Sequence, residues 1–481
     1  MLENPHIVSS AVLVSHWLIV ICLSARVIVR RLPVGVSLAW LAVLFSVPYA
    51  GAAAYMVFGG KRLDRRWVAR LASVDRAAQP SASMLRQDSS ASSPAPGTPG
   101  HSLCLQALAA MGVPALHGNR MKLLEDYQTV FDALIEDINR AAQSCRLAFY
   151  IWHEGGEADR VFQALLDASA RGVRCKVLLD AIGSKPFLDG KSRSSLMAAG
   201  IEVAAALSPV LGRRADLRYH RKIVVIDDRI AYVGSQNLVD PRYFKQDAGV
   251  GEWVDAVARI EGPSVTQLRH FFERDWCVET GSVFADSEPP SALGTALPDD
   301  ALVQIVPSGP APYPETIHRL LLSAIYSAQR SLTLTTPYFV PDESLMNALI
   351  SAAQSGVAVT LIVPARNDSF LVRHASEANY EELLEAGVRI ALFGSGLLHT
   401  KSLVIDDCLG VFGSVNFDMR SFWLNFEISL LVYGTAFTLD IDELQHRYLA
   451  NSTLIDAGEW RQRGFGRRTL GNAARLLSPL L

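Results

Sequence analysis

The sequence predicts an α/β protein in which two similar α/β units follow a pair of membrane-crossing helices. Two long stretches near the N-terminus carry no charged residue. Over the rest of the chain, helical periodicity alternates with short β-branched runs, and this alternation occurs twice in the same order. A chain of 481 residues also exceeds one ordinary hydrophobic core, so more than one compact unit is expected.

Composition and charge narrow the possible functions. Half of the residues are apolar and the mean hydropathy is slightly positive, which indicates that some segment contacts lipid. A net charge of −3 disfavours nucleic acid as a partner, because phosphate-backbone binding usually needs a basic excess. The six cysteines are scattered without metal-ligand spacing, so we expect reduced thiols, with a disulfide set as the alternative.

The N-terminal region, residues 1–60, is predicted to form two transmembrane helices. Residues 7–25 are just long enough to cross a bilayer, whereas residues 34–58 exceed the usual length and contain Pro48 as an expected kink. A signal peptide would explain the first stretch alone, but no small-residue cleavage site follows it. Two buried core helices are the other alternative.

Basic residues flank this predicted hairpin on both sides. The larger cluster follows the second stretch, which by the positive-inside tendency predicts that the bulk of the protein lies in the cytoplasm and the short turn lies outside. The cluster also favours anionic lipid headgroups. The connection contains Arg26, Arg30 and Arg31, and the later cluster contains Lys61, Arg62, Arg65, Arg66 and Arg70.

Residues 61–102 are predicted to be a basic juxtamembrane segment followed by a disordered Ser/Pro linker. The stretch 79–100 is rich in Ser, Ala, Pro and Gly and almost lacks bulky apolar residues, so it is not expected to offset its ordering entropy. It is interpreted either as a tether that lets the catalytic part approach the bilayer or as an inert spacer.

The remaining chain is interpreted as two repeats, residues 103–290 and 291–481. Each repeat runs from an amphipathic helix and a strand through further helix-strand pairs to a polar motif, which predicts a parallel or mixed sheet made twice. A duplicated chain can place equivalent residues face to face across a pseudo-twofold axis.

Each repeat ends in a similar polar motif, at residues 220–237 and 399–416. On a strand, a histidine and a lysine two residues apart lie on the same face. A single His-x-Lys is weak evidence, but two copies at matching places indicate a site. The first motif contains His220, Lys222, Asp227, Ser235 and Asn237, and the second contains His399, Lys401, Asp406, Ser414 and Asn416.

Two imidazoles and two ammonium groups together suit a phosphodiester substrate. The lysines and the two asparagines supply charge and hydrogen bonds to the non-bridging oxygens. One histidine attacks phosphorus while the other protonates the leaving alkoxide. This chemistry requires neither a metal ion nor an organic cofactor, and no Asp/Glu/His cluster with metal-ligand spacing lies near the motifs.

Carboxylates are expected to hold the second nitrogen of each histidine. The candidates are Asp255 and Glu427, which follow the two motifs at corresponding stages; edge-of-strand charges are the alternative interpretation. Asp227 and Asp406 either orient the lysines or form the turn after each motif strand.

The paired motifs are the HKD signature of the phospholipase D superfamily, and several longer segments resemble bacterial cardiolipin synthases. These segments include TTPYFVPDESL, GLLHTKSLVIDD and VNFDMRSFWLNFEISL. The resemblance implies two tandem phospholipase D-like α/β/α sandwich repeats that form one pseudo-twofold catalytic unit. It further implies phosphatidyl transfer between two phosphatidylglycerol molecules, giving cardiolipin and glycerol through a phosphohistidine. It assigns catalysis to the six His, Lys and Asp residues of the motifs, with His220 as nucleophile and His399 as general acid, an order that the residues themselves leave open.

Other functions of this superfamily remain as alternatives. A hydrolase, or a phosphatidyltransferase with another alcohol acceptor, would use the same residues; a nuclease is disfavoured by the charge, and a scaffold with a degenerate site is disfavoured by the intact motifs. The C-terminal segment from residue 459 mixes arginines with apolar residues, which predicts an amphipathic segment on anionic lipid or a packed helix. Oligomeric state stays open.

Overall fold

The computed structural model describes residues 5–30, 34–59, 63–86, 90–209, 216–284, 301–434, 436–476 and 478. The chain divides into two compact units. The smaller unit comprises Met1–Val68 and Pro209–Leu217, and the larger comprises Ala69–Ser208 and Arg218–Leu481.

The smaller unit contains three helices, α1 (Pro5–Val29), α2 (Val34–Ser46) and α3 (Pro48–Phe58). Val27, Leu44 and Tyr55 belong to their common buried cluster. The predicted second span is therefore two helices, because Val47 leaves the helical conformation before a proline that lacks a backbone N–H. Within the described residues, no helix combines the length and the apolar character needed to cross a membrane.

Three elements precede the first repeat's sheet: α4 (Arg65–Arg86), β1 (Ala91–Ser92) and α5 (Pro99–Met111). Within residues 79–100, which were predicted to be a disordered linker, the structure has the end of α4, β1 and the start of α5, and residues 87–89 lie outside the described residues. The flanking parts of α4 and α5 make tertiary contacts: Asp75 forms a 2.5 Å ion pair with Arg274, and Leu71 and Leu103 are buried.

The first repeat forms a mixed sheet with helices on both faces. Its elements are β2 (Ala115–Leu124), α6 (Tyr127–Arg140), β3 (Ser144–Phe149), α7 (Glu157–Ala170), β4 (Arg174–Asp180), α8 (Lys185–Asp189), α9 (Lys191–Ala198), β5 (Glu202–Ala206), β6 (Arg218–Tyr219), β7 (Ile223–Ile226), β8 (Ile230–Gly234), β9 (Trp253–Val254), β10 (Val257–Glu261) and α10 (Ser264–Thr280).

The second repeat has the same central order with additional C-terminal elements. These are β11 (Ala301–Ser308), α11 (Thr316–Ser327), β12 (Ser331–Thr335), β13 (Phe339–Val340), α12 (Glu343–Gln354), β14 (Ala358–Pro364), α13 (Phe370–Glu385), β15 (Arg389–Phe393), β16 (Leu397–Leu398), β17 (Ser402–Ile405), β18 (Leu409–Gly413), β19 (Phe417–Asp418), α14 (Met419–Trp423), β20 (Asn425–Tyr433), α15 (Ala436–Ala450), β21 (Ser452–Leu454), α16 (Ala457–Arg461) and α17 (Phe465–Leu476).

The strand order confirms a mixed sheet that is made twice. In the first repeat it runs β5-β4-β3-β7-β8-β10-β2, with the first three strands parallel and the later pairs antiparallel. The second repeat runs β15-β14-β12-β17-β18-β20-β11 with the same directions. Antiparallel pairing of β2 with β11 joins the two halves into one sheet.

Alternation along β3 shows how helices cover both faces of the first half-sheet. Cys145 and Leu147 belong to the apolar cluster that α6 and α7 cover, and Phe131 of α6 lies in the same cluster. Arg146 points to the opposite face, where its Nε donates to Glu273 of α10 at 2.6 Å. The central strands β7 and β17 are buried over their whole length and give the motif residues before them a rigid base.

The C-terminal helix α17 packs against α13. Gly471 makes this possible, because a Cβ there would lie 3.3 Å from the backbone oxygen of His374, and Ala474 is buried in the same contact region as Ala375. Phe465 and Leu476 nevertheless remain more than 80% exposed. The helix thus combines a packed small-residue face with exposed apolar residues at its ends.

Candidate active site

Short parallel strand pairs bring the motif of each repeat beside the other repeat. β6, just before His220, pairs with the start of β20, and the backbone N–H of His220 donates to Phe426 O at 2.9 Å. β16, just before His399, pairs with β9, and the His399 N–H donates to Val254 O at 2.8 Å. Each histidine therefore lies next to a strand of the opposite repeat: His220 is beside Phe426, and His399 is beside Val254.

Because of these strand pairs, each histidine contacts a carboxylate of the opposite repeat. Nδ1 of His220 lies 2.8 Å from Glu427 Oε2, and Nδ1 of His399 lies 2.6 Å from Asp255 Oδ1. All four side chains are buried. The carboxylates named from the sequence are thus histidine partners, and the structure adds that both pairs cross between repeats.

Contact with a carboxylate fixes the tautomer of each imidazole. A carboxylate oxygen accepts a hydrogen bond, so Nδ1 carries the proton and Nε2 keeps its lone pair. Burial lowers the pKa of His220 and of His399 to about 4, even though Glu427 and Asp255 act in the opposite direction. Both imidazoles are therefore neutral at neutral pH before an anion binds, as a nitrogen nucleophile must be.

Both motif lysines are buried beside these histidines. Lys222 Nζ donates to the backbone oxygen of His220 at 2.8 Å, and Lys401 Nζ donates in the same way to His399 O. Burial lowers the pKa of Lys222 to about 8 and that of Lys401 to about 7. Each lysine also lowers the pKa of the histidine in the other repeat, which shows that the two half-sites form one electrostatic unit.

The two carboxylates differ in their remaining hydrogen bonds. Glu427 Oε2 also accepts from Ser414 Oγ at 2.5 Å, and its Oε1 accepts from Asn425 Nδ2 at 3.1 Å. Asp255 Oδ2 is buried without a hydrogen-bond partner among the described residues. Burial alone would raise the pKa of Asp255, but His399 lowers it to about 2. The two half-sites therefore contain the same kinds of groups, but their carboxylates differ in hydrogen bonding.

The serines and asparagines of the motifs lie around this centre. Ser235 Oγ accepts from the Ala256 N–H at 3.1 Å, which fixes the backbone beside Asp255. Asn237 Oδ1 accepts from the Ile151 N–H at 3.2 Å, whereas Asn416 Oδ1 is buried without a partner among the described residues. In the described part of the chain, no group of three or more His, Cys, Asp or Glu side chains is arranged to hold a metal ion.

The contacts of Asp227 and Asp406, two residues predicted to be catalytic, favour their interpretation as turn residues. Asp227 accepts three backbone hydrogen bonds of 2.8 Å from residues 142–144, and Asp406 accepts three of 2.7–2.9 Å from residues 329–331. Both have positive φ, which aspartate tolerates in turns. They anchor the turn after each motif strand to the start of the neighbouring antiparallel strand, and among the described residues no hydrogen bond joins either aspartate to a motif lysine.

We expect Asp406→Ala to lower stability and to spare the turnover of the folded enzyme. The change leaves three partly buried N–H groups without their charged acceptor, at a cost of about 3 kcal/mol. Thermal unfolding together with activity per folded molecule measures both effects. Asp407→Ala is the matched control, because Asp407 has a similar positive φ in the same turn. A stable Asp406→Ala protein without activity would contradict the anchoring role.

Aromatic residues around the histidines were not found by sequence reasoning. The ring of Tyr150 lies 4.9 Å from that of His220, and the ring of Trp253 lies 4.4 Å from that of His399. Tyr338, 6.4 Å from His399, donates to Asp368, which also binds Lys245 at 3.0 Å. Tyr150 directly follows β3, and Trp253 lies two residues before Asp255. These positions in the sequence could have identified both rings.

Comparison with known proteins agrees with this geometry. Residues 134–276 and 321–448 match the family model described as "Cardiolipin synthase, PLD-like domain". The chain is 41% identical to cardiolipin synthase A of Edwardsiella ictaluri, over 99% of both chains. It is 40% identical to cardiolipin synthase A of Yersinia pseudotuberculosis serotype IB, over 97% of both.

A solved structure shows the same fold at low sequence identity. Phosphatidylserine synthase of Haemophilus influenzae matches with a TM-score of 0.60 and 16% identity, covering 79% of this chain and all of that one. At that identity the likeness concerns the fold alone. The matched domains, the near-full-length relatives and the paired motifs together show that this chain belongs to the cardiolipin synthase family of proteins with phospholipase D-like domains.

Proposed function

We propose that this protein joins two phosphatidylglycerol molecules to form cardiolipin and release glycerol. The observation that carries the proposal is the pair of neutral imidazoles, each held at Nδ1 by a carboxylate from the other repeat and each beside a buried lysine. Near-full-length similarity to proteins named cardiolipin synthase A supports this choice of substrate.

The first half-reaction transfers the phosphatidyl group to the enzyme. Nε2 of one histidine forms a bond to phosphorus while the bond from phosphorus to the glycerol oxygen breaks, and the other histidine donates a proton to that oxygen. Lys222 and Lys401 stabilise the negative charge on the non-bridging oxygens. The anion that enters between the lysines also raises the pKa of the second histidine and so favours its protonated, acidic form.

The second half-reaction returns the phosphatidyl group to a lipid alcohol. The histidine that gave up its proton now accepts one from the terminal hydroxyl of a second phosphatidylglycerol. That oxygen forms a bond to phosphorus, and the phosphorus–nitrogen bond breaks. The proton returns to the general acid, so the protonation state of the enzyme in its complex with the anionic lipid is restored.

The unequal carboxylates favour His220 as nucleophile and His399 as general acid. Two further donors, from Ser414 and Asn425, reduce the basicity of Glu427, whereas Asp255 has only the weaker influence of Ser235, which lowers its pKa without a hydrogen bond of ordinary length. The second pair therefore better stabilises an imidazolium. The remaining polar residues of the two motifs are proposed to bind the substrate or to hold the catalytic side chains in place: Asn237, Asn416, Ser235 and Ser414.

The proposal includes a membrane location for the chain. The charge-free stretches 7–25 and 34–58, followed by basic residues, support a hairpin in the bacterial inner membrane with the catalytic part on the cytoplasmic side. Fusions of a reporter to residue 32 and to the C-terminus test this orientation. The same compartment for both reporters, or a catalytic part outside the cell, would refute the arrangement.

Product analysis with defined lipids tests the activity itself. Purified protein in mixed micelles of detergent and phosphatidylglycerol is expected to give cardiolipin and glycerol in equal amounts. Phosphatidic acid without cardiolipin would mean a hydrolase. A phosphatidyl ester formed only with another added alcohol would mean a transferase with a different acceptor.

The lysine pKa values predict a loss of kcat/KM at alkaline pH. A lysine is cationic below its pKa, so raising the pH through about 7 and 8 removes charge from Lys401 and Lys222. Since kcat/KM reports the free enzyme, these two ionisations should lower it about tenfold per pH unit between pH 7 and 8 and about 100-fold per pH unit above pH 8. Initial rates at low phosphatidylglycerol fraction measure this, and a profile that is flat to pH 9 would contradict it.

A further inference from the structure

A second cavity lies in the second repeat, beside the catalytic centre. It has a volume of about 430 Å³, within the usual range for small-ligand sites. Its walls are the segment after β14, one face of α13, and the α16–α17 region. The close approach of α17 to α13 at Gly471 brings the last two walls together. None of the proposed catalytic steps uses this cavity.

The cavity carries excess positive charge. Arg373, Arg463 and Arg467 line it against a single carboxylate, that of Glu377. Arg373 and Arg463 both approach Glu377, at 3.0 and 3.5 Å, so one anion is divided between two cations. The side chain of Arg467 has no ion-pair partner among the described residues. This balance favours an anionic ligand.

An unpaired hydrogen-bond donor points to the same class of ligand. Trp460 lines the cavity, and its Nε1–H is buried without an acceptor among the described residues. An indole N–H can only donate, and a buried donor without an acceptor is unfavourable. Arg463 stacks over the same indole ring, which holds its guanidinium in the wall. Oxygen atoms of an anion would satisfy both groups.

The cavity is joined to the active site by two short segments. Pro337 and Asn367 line the cavity, and Asn367 Nδ2 donates to Pro337 O at 2.9 Å. The next residues, Tyr338 and Asp368, are hydrogen-bonded to each other on the side of His399. The cavity and the side of the active site that contains His399 are therefore formed by consecutive residues of the same two segments, 337–338 and 367–368.

Exposed apolar side chains at the rim suit a lipid. Phe370 lines the cavity and is 63% exposed at the start of α13; Phe465 does not line it, but it is 86% exposed two residues before the lining residue Arg467. Two exposed aromatic rings next to arginines match the boundary between headgroups and acyl chains. A soluble anion would gain nothing from them.

We infer that this cavity binds the phosphodiester headgroup of the acceptor lipid, a second anionic phospholipid whose free hydroxyl attacks the phosphohistidine. The inference rests on the proposed function and adds a separate site for the second substrate. The arginines and the Trp460 N–H hold the phosphate, and the exposed rings contact the acyl chains.

The test separates the two half-reactions. Exchange of labelled glycerol into phosphatidylglycerol needs only the first half-reaction, whereas cardiolipin formation needs the acceptor lipid. In Arg373→Gln/Arg467→Gln, we expect cardiolipin formation at low lipid fraction to fall about tenfold or more, with glycerol exchange unchanged. Arg468→Gln is the matched control: it removes the same charge from α17 but pairs with Glu381 outside the cavity. Equal loss of both activities, or loss of neither, would overturn the inference.

A binding measurement keeps the inference testable if the proposed activity fails. Short-chain phosphatidylglycerol, titrated calorimetrically into the His220→Ala protein, is expected to occupy two sites, and one site once the two arginines are also replaced. An unchanged number of sites would overturn the inference. Inorganic phosphate provides the second arm: saturable phosphate binding that is lost with the arginines, without any change in lipid binding, would assign the cavity to a free anion instead.

Discussion

His220→Ala is expected to abolish phosphatidyl transfer, whatever the leaving group of the lipid substrate. Without its Nε2 no bond to phosphorus forms, and the loss of the nucleophile is expected to lower kcat by about 10⁴-fold or more. Rapid quenching followed by phosphohistidine detection should find no covalent intermediate. The phosphatidyl ester of p-nitrophenol, whose leaving group needs no proton, should react just as poorly.

His399→Ala should behave differently with these two substrates. With phosphatidylglycerol the missing general acid is expected to cost about 10²- to 10⁴-fold. With the nitrophenyl lipid the first half-reaction should proceed, giving a burst of nitrophenolate and a trapped phosphohistidine at His220.

His446→Ala is the control for this pair, because that side chain is 70% exposed on α15 and contacts Asp442. A covalent intermediate trapped in His220→Ala and absent from His399→Ala would reverse the two roles. Its absence from both would refute a phosphohistidine mechanism.

The sequence predicted which residues form this centre better than it predicted how they pair. The spacing in each motif predicted a histidine and a lysine on one face of a strand; in the structure the lysine of each motif donates to the backbone oxygen of its histidine, at the approach to a buried strand. It could not indicate that His220 pairs with Glu427 and His399 with Asp255, because that pairing arises from β6–β20 and β16–β9, contacts between residues far apart in the chain. Asn425 was missed for the same reason, since its role depends on the position of Glu427.

Local patterns are least informative where tertiary contacts decide the role of a residue. Asp227 and Asp406 belong to the signature motif, yet the turn geometry directs both to backbone N–H groups. Residues 79–100 almost lack bulky apolar residues, yet they include the end of α4 and the start of α5, two helices held elsewhere by the Asp75–Arg274 ion pair and by packing against α11. In both cases the partner lies more than 70 residues away.

Glu427→Gln is expected to lower kcat by about 10²- to 10⁴-fold without weakening the binding of the anionic substrate. An amide can still accept the His220 Nδ1–H, but it no longer stabilises the positive charge that develops on the imidazole during attack. Glu427 also raises the pKa of Lys222 and of Lys401, so KM is compared at a pH low enough to keep both lysines cationic in the variant; there the loss of a negative charge should leave KM constant or lower it. Steady-state kinetics separate these effects, and a merely structural role would not produce such a split.

Comparison with Asp255→Asn ties each carboxylate to one half-reaction. Asp255 acts through the general acid, so its variant should recover much of its first-turnover rate with the nitrophenyl lipid, whereas Glu427→Gln should not. Asp137→Asn serves as the control for loss of a buried carboxylate, because Asp137 pairs with Arg259 and Tyr232 away from the histidines. If all three variants lost kcat equally, the carboxylates would act through stability alone. If only Glu427→Gln recovered with the better leaving group, His220 would be the general acid. His399 would then be the nucleophile.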